Sequence, residues 1–145
     1  MAAPAPAARM SMMASSSAEW TMEDMKRVCN DADTSCTWTF GIDDGSGSGS
    51  APSNTTTTTP CTYIVEAANG IPASRADGGP SQCGEYTITS GWSGQFGEEK
   101  GFTTLSVVND ETPRQIIWPA YTDKQLEGGQ VVKPDQSYAP ATLPL

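Results

Sequence analysis

Cys29, Cys36, Cys61 and Cys83 constrain this 145-residue chain more than any other feature. Their number is even, none stands in a Cys-x-x-Cys pair, and the chain has no histidine to complete a mixed zinc site. A disulfide framework is therefore expected rather than a metal centre. Of the three pairings that four cysteines allow, Cys29 with Cys36 and Cys61 with Cys83 is favoured, because each bridge closes a segment that reads as hairpin-like. Loop entropy assigns about 2.5 kcal/mol to the first bridge and about 3.5 kcal/mol to the second. Such bridges persist in oxidising compartments, so the chain is read as secreted and extracellular.

One domain is expected at this length. Glycine (14) and proline (11) are frequent, Thr and Ser are abundant and leucine is scarce, which favours short strands joined by turns. Residues 1–18, rich in Ala, Pro, Ser and Met, read as a disordered tail, with Met1 as an initiator added to a mature N-terminus. A single β domain then spans 19–140, interrupted by a flexible low-complexity loop at 45–60, and 141–145 form a C-terminal tail.

Within the domain, 20–29 stays open between strand and helix, because Met22, Met25 and Val28 fit a helical face. Strands are expected at 37–40, with Trp38 and Phe40 facing the core, at 61–66 and at 86–89. Residues 102–108 and 115–118 form a hairpin around Asn109, Asp110 and Pro113. Asn69-Gly70 opens a Gly/Pro/Ser-rich excursion that runs to Cys83. Thr122 is placed as the N-cap of one short helix stopped by Gly128-Gly129, and a last strand is expected at 130–133. The fold class is all-β: a small antiparallel β-barrel or sandwich, the barrel preferred, with one short helix and two disulfides.

The lack of histidine removes Ser-His-Asp and Cys-His catalytic sets, and no metal or cofactor is expected. The remaining enzymatic template is a carboxylate pair for glycoside cleavage, with Asp43 and Asp44, Glu85, and Glu98 and Glu99 as candidates. Charged pairs beside glycine read better as solvated turns. Asp31 and Asp33 lack the glycine and the distant glutamate of a calcium loop, and read as a turn too. A formal charge of −9 repels nucleic acid and anionic lipid, and no stretch approaches the ~20 apolar residues of a membrane span. Asn54-Thr55-Thr56 is an N-glycosylation sequon. Trp92 and Phe96, set among glycines, are the candidate binding aromatics for sugar or protein.

The strings at 29–42 and 87–97, with 101–108 and 119–126, resemble small secreted proteins of plant-pathogenic ascomycetes that elicit a hypersensitive response in plants. The likeness covers most of residues 26–140. It implies a non-enzymatic fungal elicitor or effector in the plant apoplast, which binds an apoplastic or cell-surface plant protein and triggers cell death and defence. The four cysteines are the residues carried over, as a framework. Two other functions compete: a cell-wall carbohydrate-binding module using Trp92 and neighbouring aromatics, which would bind polysaccharide, and a small glycosidase using Glu98 or Glu99.

Overall fold

The computed structural model describes residues 19–45, 58–111 and 113–143. Asn54 and most of the low-complexity loop lie outside the described residues, as does the 1–18 segment. The chain forms strands β1 (Trp20–Cys29), β2 (Ser35–Asp43), β3 (Thr58–Glu66), β4 (Gly78–Cys83), β5 (Tyr86–Ser93), β6 (Phe102–Asn109), β7 (Gln115–Ile117) and β8 (Ala120–Thr122). A four-residue helix, α1 (Asp123–Leu126), and strands β9 (Gln136–Tyr138) and β10 (Ala141–Thr142) complete it. A four-stranded sheet has the order β3-β2-β1-β9, and a second sheet has the order β10-β7-β6-β5-β4 with β8 also paired to β6. All pairings are antiparallel.

Period-2 alternation builds the core between the sheets. Trp38, Phe40 and Ile42 of β2 and Tyr63 and Val65 of β3 point inward from the first sheet. Tyr86, Ile88, Leu105, Val107, Ile117 and Tyr121 meet them from the second. The indole of Trp20 packs edge-on against the Tyr86 ring, with centroids 5.6 Å apart. Each such burial stabilises by about 1.5–3 kcal/mol. Asn109 and Gln115 pair at the end of the 102–108 and 115–117 hairpin, as the turn residues predict.

The segment at 20–29 is a strand, and its helical spacing has a local cause. The register slips between Glu23 and Lys26, where Asp24 and Met25 of β1 oppose the single residue Phe40 of β2, and Asp24 takes φ 53°. This bulge reverses the alternation, so Met22 and Met25, three apart, both enter the core while Val28 points to solvent. The bulge is held from outside: the Asp24 amide donates to Asp135 Oδ1 at 3.0 Å, and Lys133 Nζ binds the carboxylates of Asp24 (2.6 Å) and Asp135 (3.1 Å).

Both expected disulfides are present. Cys29–Cys36 joins directly paired residues of β1 and β2, and Cys61–Cys83 ties β3 to β4. The second bridge links the two sheets, yet the preferred closed barrel does not form. β3 and β4 are edge strands that share no backbone ladder. Each carries a proline, Pro60 or Pro80, which has no N–H to donate, so the ladder between them stays open and the result is a sandwich.

Four further expectations are corrected. The Gly/Pro/Ser-rich stretch contains strand β4, with Gly79 at φ 84°. Residues 130–133 form no strand; Val132 packs into the core and its amide donates to Met25 O (2.8 Å), and β9 follows at 136–138. Ala141 and Thr142, assigned to a tail, pair with β7, and β3 starts at Thr58, inside the expected loop. The short helix stands as expected: Thr122 Oγ1 accepts from the Gln125 amide (3.1 Å), and Gln125 Oε1 accepts from the Thr122 amide (2.9 Å).

Candidate interaction groove

An open groove of about 760 Å³ lies at one end of the sandwich, between the β1–β2 turn, the single 3-10 turns Ala73–Arg75 and Glu98–Lys100, and α1. Arg27 faces Trp38 across the β1–β2 ladder on the inward side, and its guanidinium lies 5.5 Å from the indole centroid. The Arg27 side chain is only 10% exposed and donates to Ser74 O (3.4 Å) and Asp123 Oδ1 (3.5 Å). Asp123 Oδ2 accepts from Trp92 Nε1 at 2.9 Å. Arg75 covers the Trp92 ring at 4.9 Å and binds Glu98 at 3.2 Å. Arg27, Arg75, Glu98 and Asp123 thus line the groove with charge, while the Trp38 and Trp92 indoles lie behind them, so that stacking and ion pairing satisfy the partly buried charges.

Local structure explains why these groups converge. The capping box of α1 places Asp123 in the first helical residue, beside Trp92 at the end of β5. A Cβ on Gly94 or Gly101 would stand 2.5 Å from the Trp92 ring, so both glycines exist to let that indole lie flat. The β1–β2 turn is stapled by Asp33, whose carboxylate accepts from the Ser74 amide (2.9 Å) and the Ser74 hydroxyl. Asp33 also lies close to the Cys29 and Cys36 sulfurs, but those sulfurs are bonded to each other, so no thiolate is offered to a metal.

Trp92 and Phe96, paired as candidates in the sequence, occupy different settings. Trp92 is half-buried under Arg75, and its glycine neighbours admit its own ring rather than a partner. Phe96 is 66% exposed and stacks on Phe102, with centroids 6.3 Å apart and rings inclined by 22°. The carboxylate candidates also separate. Glu98 and Glu99 share the groove's rim, and Glu98 is 80% exposed and held by Arg75. Asp43, Asp44 and Glu85 approach Tyr86 instead, whose hydroxyl is pushed well above the ordinary phenol range first by burial and then by these charges. Arg27, Arg75 and Asp123 escaped the sequence reading because isolated charged residues carry no spacing signal.

No described helix is long and apolar enough to cross a membrane. Comparison with known proteins matches residues 21–143 to the Effector TSP1 family. A curated relative, Effector TSP1 of Hypocrea virens, is 56% identical over 144 residues, which cover 99% of this chain and 88% of the relative. The matched span takes in the whole sandwich from β1 through β10, both disulfides and the groove. The chain belongs to the Effector TSP1 family of fungal effectors.

Proposed function

We propose that this protein is a secreted, non-catalytic fungal elicitor that induces hypersensitive cell death and defence in plants by presenting its disulfide-stapled surface to an apoplastic or cell-surface host protein. The observation that carries the reading is the match to an effector family over residues 21–143, nearly all of the described fold. Two features support it. The chain has no histidine, and in the groove Asp123 and Glu98 are engaged by arginine and indole groups rather than poised against each other. The groove and its exposed rim then act as a shaped surface, with Arg75, held over Trp92, as the kind of group that anchors protein interfaces.

The test is infiltration of purified protein into leaves beside a reduced and alkylated control, scoring necrosis and reactive-oxygen release. Necrosis from the folded protein alone is expected. Equal activity of the reduced protein would refute a folded recognition surface, and silence from both across several hosts would refute the elicitor reading.

A further inference from the structure

We propose that the outward face of the six-stranded sheet binds a neutral polysaccharide chain, with Phe96 and Trp118 as its two aromatic contacts. This activity goes beyond the elicitor reading and does not depend on it. β6 runs against the 115–122 segment in one unbroken register: Val107 opposite Ile117, Thr104 opposite Ala120, Phe102 opposite Thr122. The same register sets Trp118 opposite Ser106. Ile117, Pro119 and Tyr121 are buried, whereas Trp118, Ala120 and Thr122 are exposed, so Trp118 stands on the outward face. Its side is 54% exposed, and Phe96, resting on Phe102, is 66% exposed.

Phe102, on which Phe96 rests, and Ser106, which Trp118 faces, are four residues apart on β6, about 13 Å along the strand. Between them the outward residues are Thr104 and Ser106 on β6, Ala120 and Thr122 on β8, and Thr89 and Gly91 on β5, and none is charged. That neutrality stands out on a chain of net charge −9. Asp77 borders the strip, its carboxylate 3.3 Å from where a Cβ on Gly91 would stand.

The chemistry selects the occupant. Exposed rings offer flat apolar area to the C–H faces of sugars, while the intervening hydroxyls and the bordering carboxylate match sugar hydroxyls. A second copy of the chain, or an acidic polysaccharide, would bring its own negative charge against this one. A protein partner is favoured by apolar residues in the centre of a patch, where this face carries hydroxyls. The β6 positions that the two rings adjoin are further apart than one hexose, so both rings engage together only with a chain, and binding strengthens through that joint engagement.

The test is depletion of the disulfide-intact full chain by insoluble cellulose, chitin or β-1,3-glucan. Retention on at least one polymer is expected, competed by its soluble oligosaccharides but not by its monosaccharide, and weakened about tenfold by Trp118→Ala or Phe96→Ala. Both rings are exposed, so the variants should keep the parental urea midpoint. No retention on any of the three polymers, or retention unchanged in the double variant, overturns the proposal. Loss of the leaf response in these variants without any polysaccharide binding would make the face a protein-docking surface and overturn it as well. Retention that persists when folded protein elicits no leaf response would refute the elicitor reading and leave this one standing.

Discussion

Replacing Cys61 and Cys83 together with alanine should destabilise this fold more than replacing Cys29 and Cys36. The two bridges span 22 and 7 residues of chain. Loop-closure entropy then gives about 3.4 kcal/mol for the first pair and about 2.4 kcal/mol for the second. The structure points the same way. Cys29–Cys36 lies between residues already paired in the β1–β2 ladder, so that hairpin keeps its backbone bonds without it. Cys61–Cys83 joins edge strands of different sheets with no ladder between them, leaving core packing and the 2.7 Å bond between the Tyr63 and Ser90 hydroxyls to hold that seam. Urea unfolding of the two double variants reads the difference directly. With a slope of about 1.5 kcal/mol/M, the midpoint should fall by about 2.3 M for Cys61→Ala/Cys83→Ala and by about 1.6 M for Cys29→Ala/Cys36→Ala. Amide exchange in the first variant should quicken along β3 and β4 before the rest of the sandwich. An equal or larger loss in the Cys29 and Cys36 variant would refute the reasoning.

Thr122→Ala removes the N-cap of α1 and should cost about 1 kcal/mol in urea unfolding, with a change in Trp92 fluorescence as Asp123 shifts. Tyr121→Phe should raise stability by about 1 kcal/mol, because the Tyr121 hydroxyl is buried without a hydrogen-bond partner among the described residues. Gly79→Ala should cost about 2 kcal/mol, since Gly79 lies at φ 84° and a Cβ there would stand 2.4 Å from Ile88 O. On the acid side, Gln82 and Thr87 hold Asp110, and the Asp24 amide holds Asp135, below the usual carboxylate range. Stability from these groups is complete above about pH 4 and lost as pH falls through their lowered values, so Asp110→Asn and Asp135→Asn should flatten the acid limb of a urea-midpoint profile. On the alkaline side, burial raises Tyr63, Tyr86 and Tyr121. The folded state therefore keeps protons that the unfolded chain releases, and stability should fall as pH rises beyond about 10.

The sequence by itself determined the local features: the cysteine pairs, the inward Trp38 and Phe40, the 102–117 hairpin and the Thr122-capped helix. The inward aromatics rest on alternation, the hairpin and helix on turn chemistry and capping within a few residues, and the cysteine pairing on the hairpin-like segment that each bridge closes. Only the tertiary structure decided what depends on several segments at once. Met22 and Met25 look helical until β2 reveals the bulge at Asp24, and the strand β4 hides because its own residues are mostly Gly, Pro and Ser, so only its pairing with β5 and the bridge to Cys61, 22 residues back, marks it as a strand. Pro60 and Pro80 leave two edges unladdered and make a sandwich where alternation alone suited a barrel equally well. The groove is the furthest from the sequence. Arg27, Arg75, Trp92 and Asp123 come from four elements, and their pairing is set by packing geometry, which no spacing along the chain encodes.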